Sequence, residues 1–278
     1  FISLNYDINK ELEDNKNNPE FENYSKELLT GNYTYLMKEQ LITLGEIISS
    51  IRVCNELLNE YVDATLLYPS ELGIKVITSD KFEEIDTLDN QKLLEKVNNH
   101  KVVVIPGFIG FNQDGYMVSL QDNGSDLTAM IIAKMLNINE VYLYKDVLGL
   151  ASIDPSIYKN YKLYKDVSYE LMKQIILHGS NLIQNKAIDF AKDNNISIIV
   201  SHYLNHNYKT SILKLSKEKV IVFQILNNDI FIDGINNKSH IENLLEIMQL
   251  KYDYILPCNS YLKIVTSYNN EKEILKKV

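Results

Sequence analysis

Three short apolar runs, with helical patterns among them, constrain the fold of this chain more than any other feature of its sequence. Residues 101–105 read KVVVI, a continuous apolar run of the kind that forms strands buried on both faces of a parallel sheet. Residues 140–144 and 196–200 are further strand candidates, and helices are predicted between them at residues 168–177, with Ser168 as N-cap and Gly179 after the end, and at residues 185–193. Apolar residues recur at helical spacing over residues 35–61, and residues 112–115 predict the tight turn of a hairpin. This alternation of strand and helix predicts an α/β domain with a mainly parallel sheet.

The two ends of the chain differ from this central part. Residues 1–35 are polar, acidic and rich in Asn, which indicates loosely packed helix and loop. A polar stretch at residues 205–219 is interpreted as a linker, and the apolar runs after it predict the order β, β, α, β, β, α. We therefore predict an α/β domain over residues 1–211 and a small α+β unit over residues 212–278.

Charge and cysteine content argue against several classes of function. The chain has 37 acidic and 28 basic residues, whereas general binding to nucleic acid or to an anionic membrane needs a field of Lys and Arg. No apolar run in the sequence is long enough to span a bilayer. Cys54 and Cys258 lack metal-type spacing, and free thiols in a reducing cytoplasm are favoured over the alternative, a disulfide. His202 and His206 have no Asp, Glu or Cys at ligand spacing, so we predict no metal site.

Three loops are candidate ligand sites because they follow predicted strands, and open α/β sheets bind ligands at the carboxyl ends of their strands. They cover residues 106–111, 121–126 and 145–156. In the second loop, Ser125 and Asp126 begin a helical pattern. Ser is a common N-cap and an acid in the first turn favours the helix dipole, so both residues have a structural explanation beside a functional one.

Five motifs in these regions occur in a characteristic order. In order and spacing they resemble aspartokinases of the amino-acid kinase family, over roughly residues 40–212. The resemblance implies an α/β amino-acid kinase-type sandwich with a mainly parallel sheet, and a C-terminal α+β unit similar in position to that family's ACT regulatory region. The motifs are GE at 45–46, PGFIG at 106–110, NGSD at 123–126, KDVLGLASIDP at 145–155 and HGSNLIQNKAIDFAKDNNISIIV at 178–200.

The resemblance also implies a reaction and a set of site residues. The family transfers the γ-phosphoryl group of ATP, held with Mg²⁺, to the β-carboxylate of L-aspartate, which gives 4-phospho-L-aspartate and begins Lys, Thr and Met biosynthesis. By resemblance, Glu46 accepts the substrate ammonium, Phe108 lines the substrate pocket and Ser125 lies near the acceptor. Asp126 is the implied catalytic residue, which organises the catalytic cation. The implied nucleotide-binding residues are Lys145, Asp146, Gly149, Asp154 and Pro155.

These roles have plainer alternatives. Taken without the other motifs, Glu46 fits a surface charge on an amphipathic helix and Phe108 fits a core residue. His178 precedes a helix-ending Gly and is interpreted as a partner of the C-terminal helix dipole.

Several positions depart from the family pattern, mainly by losing a positive charge. Asp122 occupies the place of the Arg that grips the substrate carboxylate, and Asn181 the place of a Lys that contacts ATP phosphates. Ser156 replaces a further Arg and Ala151 an aromatic residue of the nucleotide loop, while Lys145 replaces a Thr and offers a cation there. The family's Lys-Phe-Gly-Gly turn, which carries a catalytic lysine, does not occur in the sequence.

Two functions therefore remain open. The first is a diverged cytoplasmic aspartokinase with weak or lost activity, which binds ATP and L-aspartate and forms a homo-oligomer as its family does. The second is a non-catalytic regulatory partner or amino-acid sensor on the same fold, with an amino acid as its effector.

Overall fold

The computed structural model of the chain forms two compact units, residues 1–128 and residues 129–278. The predicted helix and loop over residues 1–34, the predicted helix over residues 271–278 and Asp122 lie outside the residues that the structure describes. The predicted boundary between the two domains, at residue 212, stays a prediction. The described residues are 35–79, 82–85, 90–120, 124–227, 229–235, 237–247 and 251–265.

In the described part of the first unit, a long helix packs against short strands. This helix, α1 (Tyr35–Asn59), contacts the strands β1 (Ala64–Leu66), β4 (Val102–Val104) and β6 (Met117–Ser119), and it directs Leu44 and Ile48 into the interior. The predicted apolar periodicity of α1 accounts for this packing. The elements are α1 (Tyr35–Asn59), β1 (Ala64–Leu66), α2 (Pro69–Leu72), β2 (Val76–Ser79), β3 (Phe82–Ile85), α3 (Gln91–Asn99), β4 (Val102–Val104), β5 (Ile109–Phe111), β6 (Met117–Ser119) and α4 (Gly124–Met135), which continues into the second unit.

The run KVVVI forms a strand, as predicted, but the prediction that it is buried on both faces was wrong. Strand β4 covers only Val102–Val104, and all three residues are half-buried. Within the described residues β4 pairs in parallel with β1 alone, so it lies in a two-stranded sheet. A strand at the edge of so small a sheet keeps part of its surface in contact with solvent.

A hairpin follows this strand. Strands β5 and β6 pair antiparallel, and the turn between them is closed by Asn112, whose backbone N–H donates to the carbonyl of Tyr116 at 3.0 Å. The side-chain oxygen of Asn112 accepts the backbone N–H groups of Asp114 and Tyr116 at 3.1 and 2.9 Å. Gly115 has a φ of 83°, a conformation that favours glycine. The hairpin predicted at residues 112–115 is confirmed.

The second unit contains two four-stranded sheets in its described residues. The elements of this unit are β7 (Glu140–Lys145), β8 (Asp166–Ser168), α5 (Tyr169–Leu177), α6 (Asn185–Asp193), β9 (Ser197–His202), β10 (Lys209–Leu213), β11 (Val222–Leu226), β12 (Asp229–Asp233), α7 (Lys238–Ile247), β13 (Tyr254–Pro257) and β14 (Tyr261–Val265). The first sheet has the strand order β7-β9-β10-β8 and the second has the order β11-β12-β14-β13.

The first of these sheets is mixed. Strand β7 pairs with β9 and β8 with β10 in parallel, while β9 and β10 pair antiparallel. Strand β10 lies in residues 205–219, so the prediction of a polar linker there was wrong. Its residues alternate between the interior and the surface, and the hydroxyl of buried Thr210 donates to the carbonyl of Tyr164 at 2.6 Å. The α/β class is confirmed, because parallel strands alternate with the helices α5 and α6.

Helix α5 begins and ends where its sequence predicts. The hydroxyl of Ser168 accepts the N–H of Leu171 at 3.2 Å, which caps the first turn. At the other end Gly179 has a φ of 115°, and its N–H donates to the carbonyl of Ile176 at 3.0 Å. These contacts at the two ends of α5 fix the position of residue 178 and of the loop that follows it.

The second sheet is antiparallel and packs against α7. Its core contains Ile230, Ile232, Leu262 and Ile264 from the strands, together with residues of α7. Buried Ile153, which follows strand β7 in the loop at residues 145–156, belongs to the same core. This loop of the predicted nucleotide site is therefore anchored in the C-terminal α+β sheet. Within the described residues, no helix is both long and apolar enough to cross a membrane.

The turn after β10 is held by one carboxylate. Asp166 Oδ1 accepts the Ser216 hydroxyl at 2.5 Å and the backbone N–H groups of Lys217 and Glu218 at 2.7 and 3.2 Å. The hydrogen bond from the Ser216 hydroxyl, helped by these N–H groups, holds the pKa of Asp166 below its ordinary value. Three donors on one carboxylate fix the chain between β10 and β11.

We expect Asp166→Ala to lower the free energy of unfolding at pH 7 by about 1 kcal/mol, the net contribution of a typical hydrogen bond, because the donors are partly accessible to water. A folded-state pKa below the unfolded one stabilises the fold above the unfolded value, about 3.9, and this contribution is lost as the pH falls through the folded pKa. Urea denaturation from pH 7 to pH 3 checks this, with Ser216→Ala as a control that removes one donor. A difference between wild type and Asp166→Ala that does not shrink in acid contradicts it.

Candidate functional site

The turn that carries the predicted substrate residues is fixed by hydrogen bonds within the first unit. The N–H of Phe108 donates to Thr128 Oγ1 at 3.0 Å, and the Thr128 hydroxyl donates to the carbonyl of Gly124 at 3.0 Å. The carbonyl of Phe108 accepts the N–H of Leu120 at 2.7 Å. Phe108 has a φ of 71°, which is rare for an aromatic residue and is maintained by these bonds.

Phe108, Ser125 and Asp126 are brought together by this turn. A Cβ added to Gly107 would lie 3.1 Å from Ser125 Oγ, so the 106–108 loop runs directly over the first residues of α4. Ser125 is exposed, whereas Asp126 is only 6% exposed in the first turn of the helix. The first turn of α4 therefore presents the exposed hydroxyl of Ser125 beside the buried carboxylate of Asp126.

Glu46 lies on α1 in the same unit. Its helix packs against β6, the strand that leads toward this turn. The side chain is exposed, and its pKa is nevertheless raised, mainly by partial desolvation of the carboxyl group. Its substrate-binding role stays a prediction.

A cavity of about 840 Å³ lies in the second unit. Its walls are residues 145–155, residues 178–182 and residues 222–225 of strand β11, together with a few others. The volume lies in the range of sites that bind small molecules and cofactors. All the predicted nucleotide-binding residues line this cavity: Lys145, Asp146, Gly149, Asp154 and Pro155.

The chemistry of this lining suits a nucleotide with Mg²⁺ only in part. Asp146 and Asp154 are exposed carboxylates of the kind that hold Mg²⁺. Lys145 is the single lysine among the described lining residues, which include no arginine. Asn181 and Ala151 also line the cavity, at the positions where the resemblance implies a Lys and an aromatic residue. Within the described residues, no group of three or more His, Cys, Asp and Glu side chains is placed to hold a metal by itself.

Asp154 also has a structural role. Its Oδ1 accepts the N–H of Ser156 at 2.7 Å, and its carbonyl accepts the N–H of Ile157 at 2.9 Å. This is the turn geometry that Asp favours. The turn carries Ile153 and Ile157 onto the C-terminal core, so Asp154 links the cavity to that sheet.

Gly149 is constrained by Thr210, a residue that sequence analysis did not identify. Gly149 has a φ of 129°, and a Cβ added there would lie 2.5 Å from Thr210 Oγ1. The same oxygen accepts the N–H of Leu150 at 2.8 Å. Thr210 therefore holds the nucleotide loop against strand β10.

We expect Gly149→Ala to cost about 3 kcal/mol of stability and to weaken ligand binding in the cavity, since it combines an unfavourable φ with a steric clash. Gly179→Ala is the matched control for stability, because Gly179 has a φ of 115° but its nearest new contact would be 3.8 Å away. Thermal unfolding of both variants separates the cost of the steric clash from the cost of placing Ala at a positive φ. Equal losses in the two variants contradict the role of Thr210.

His178 was predicted to interact only with the helix dipole, and the structure adds a buried pair. It caps the end of α5, but its Nδ1 also lies 2.7 Å from Asp233 Oδ1, on strand β12. The Gln174 amide donates to the same oxygen at 2.5 Å. The ring of His178 stacks on Phe231 with centroids 4.2 Å apart, and Tyr261 contacts it edge-on at 4.4 Å. Pairing across 55 residues leaves no local signal in the sequence.

Comparison with known proteins places these features in a family. The amino acid kinase family model matches residues 4–202. The chain is 28% identical over 177 residues to the aspartokinase of Helicobacter pylori strain ATCC 700392 / 26695, which covers 63% of the chain and 43% of that protein. It is 28% identical over 163 residues to the aspartokinase of Bacillus sp. strain MGA3, covering 58% of the chain and 39% of that protein. The chain thus spans less than half of the length of these relatives.

Solved structures show the same fold. Aspartokinase III of E. coli in complex with aspartate and ADP matches with a TM-score of 0.66 at 17% identity, over 96% of this chain and 64% of that one. The aspartate kinase of Clostridium acetobutylicum matches with a TM-score of 0.52 at 20% identity, over 91% and 60% of the two chains. With the family model matching well over half of its residues, the chain belongs to the amino acid kinase family, and it is similar to aspartokinases within it.

Proposed function

We propose that this chain is an aspartokinase-like protein whose cavity in the second unit binds ATP or ADP with Mg²⁺, and whose phosphorylation of L-aspartate to 4-phospho-L-aspartate is weak or lost. Phe108, Ser125 and Asp126 form the acceptor turn in this proposal, with Glu46 as the ammonium partner. We further propose that the chain is cytoplasmic and forms a homo-oligomer, as its resemblance to aspartokinases implies.

The observation that carries the proposal is the gathering of the predicted nucleotide residues around one cavity. Lys145 ends strand β7, Asp146 and Gly149 follow it, and Asp154 and Pro155 complete the same wall. In phosphoryl transfer, positioning and electrostatic stabilisation of the phosphates supply nearly all of the catalysis. The described lining of this cavity contains one lysine. This lining therefore supports binding of a nucleotide better than it supports rapid transfer of a phosphoryl group.

A coupled ATPase or hydroxamate assay on the whole chain tests the activity directly. We expect aspartate-dependent turnover near the background rate. Turnover at rates typical of kinases, about 1–100 per second, would show that the replaced positions are compensated. Nucleotide binding is measured separately by calorimetry with ADP and Mg²⁺, and an absence of binding removes the proposal.

Restoring one cation is expected to strengthen nucleotide binding. Asn181 is exposed and lines the cavity, so Asn181→Lys adds a charge where the family resemblance places one. We expect the affinity for ADP to rise about tenfold, the scale of one charge-assisted contact. Asn160→Lys is the control for net charge, since Asn160 is exposed and does not line the cavity. An equal gain in both variants assigns the effect to overall charge and contradicts a phosphate site at residue 181.

A second candidate function is an amino-acid sensor or regulatory partner without catalysis. It is favoured by the insertion of Ile153, from the cavity loop, into the core of the C-terminal α+β sheet, which we propose is an ACT-like unit spanning residues 212–278. A ligand that repacks this core would also displace the cavity loop. Calorimetry with Lys, Thr, Met and Asp, together with a mass measurement of the oligomer, tests this function. A monomer that binds none of them rules it out.

A further inference from the structure

The ring of His178 is held rigidly at the wall of the cavity. Phe231 stacks on one face with an interplanar angle of 19°, and Tyr261 meets the ring at 60°. Nδ1 is engaged by Asp233, so Nε2 is the ring nitrogen left to meet a ligand. His178 is 7% exposed and lines the cavity. A side chain fixed in this way loses little conformational entropy on binding.

Asp233 fixes the orientation of this ring from the other side of the pair. Asp233 is fully buried, and its Oδ2 has no hydrogen-bond partner among the described residues. Within those residues its one ion-pair partner is His178, because the Gln174 amide is neutral. A buried carboxylate is costly unless a cation pairs with it. In a protonated ring both nitrogens are donors, so that Nδ1–H bonds to Asp233 and Nε2–H is left for a ligand.

The cavity wall lacks a positive charge at residue 181, and the ring of His178 lies on the same loop. His178 and Asn181 line it from the same loop, three residues apart, and residue 181 is the position at which the family resemblance places a phosphate-binding Lys. Gly179 and Ser180 complete this wall. A charged N–H donor on this loop supplies the type of contact that Asn181 lacks.

We propose that His178, oriented by Asp233, donates a hydrogen bond as an imidazolium from Nε2 to a phosphate group of the nucleotide in this cavity. Asp233 acts through His178 as a positioning residue. The inference rests on the proposed nucleotide site, and it adds to that site a contact from a residue to which the family resemblance assigns no role.

Calorimetry with ADP and with adenosine, on the whole chain, tests the inference. Because His178→Phe alone leaves a buried carboxylate unpaired, the test variant is His178→Phe with Asp233→Leu, which removes both charges. We expect its affinity for ADP to fall about tenfold or more, and its affinity for adenosine to stay within about twofold, since adenosine has no phosphate. The matched control is His100→Phe with Asp63→Leu, which removes an exposed His–Asp pair, with Nδ1 and Oδ1 2.9 Å apart, in the other unit.

The outcomes separate the two proposals. A wild-type chain that does not bind ADP overturns the proposed function and this inference together. A wild-type chain that binds ADP no more tightly than the test variant overturns the inference alone. Equal losses of affinity for ADP and for adenosine would assign His178 a structural role and would also overturn the inference. In the wild type, ¹⁵N-histidine NMR provides a check that needs no variant: the Nε2 resonance of His178 should shift with ADP and not with adenosine.

Discussion

Gly234→Ala is expected to unfold the C-terminal sheet, or to cost at least about 4 kcal/mol of stability, which is exceptional for a single substitution. Gly234 has a φ of 83°, and a Cβ added there would lie 1.9 Å from the carbonyl oxygen of Val220. That contact is with backbone, so no side-chain rotation relieves it. The N–H of Gly234 also donates to the carbonyl of Ser260 at 3.1 Å, which ties the end of β12 to the turn before β14.

Gly115→Ala provides an unusually close control for this prediction. Gly115 has the same φ of 83°, and an added Cβ would meet nothing within 4 Å. The control therefore measures the conformational cost alone, about 1–3 kcal/mol. Urea denaturation followed by far-ultraviolet circular dichroism compares the two variants. Similar losses at the two positions contradict the close approach of Gly234 to Val220.

His178→Phe is expected to lower the free energy of unfolding by about 3 kcal/mol, the scale for leaving a buried acceptor without its hydrogen-bond partner. The cause is Asp233, which is fully buried and loses its one ion-pair partner among the described residues. Adding Asp233→Leu is expected to recover most of the loss, because well-packed apolar residues often replace a buried pair without cost. The same urea denaturation measures both variants.

The exposed pair of His100 and Asp63 in the first unit is the control for the buried pair of His178 and Asp233. His100→Phe removes the partner of Asp63, whose pKa is lowered mainly by the hydrogen bond with His100. Both side chains are well exposed, and such pairs contribute little to stability. We expect little change in the unfolding of this variant. A double variant at His178 and Asp233 that is no more stable than His178→Phe alone contradicts the account of the buried pair.

The parts of the fold that depend on local signals could be predicted from the sequence. Helix α5 begins after Ser168 and ends before Gly179, as its capping residues indicate, and α6 covers the predicted residues 185–193. The hairpin at Gly115 was also predicted. Caps and turns act within a few residues, so their chemistry is visible in a short window of sequence.

The parts that depend on distant partners could not be predicted. Strand β10 reads KTSIL, and its polar Lys209 and Ser211 suggested a linker, although buried Thr210 and Ile212 alternate with them. The hydroxyl of Thr210 is satisfied by groups 46 and 60 residues away in sequence, at Tyr164 and Leu150. The same is true of the candidate site. Its loops were recognised as motifs, while the pairing of His178 with Asp233 appears only in the fold.

Above all, we expect the cavity of the second unit to bind a nucleotide. Amide hydrogen exchange of the whole chain, with and without ADP and Mg²⁺, tests this most directly because it reports where the ligand binds. We expect exchange to slow at residues 145–155 and 178–182, the two loops that line the cavity. Unchanged exchange at both loops, under conditions in which calorimetry detects ADP binding, would contradict the account.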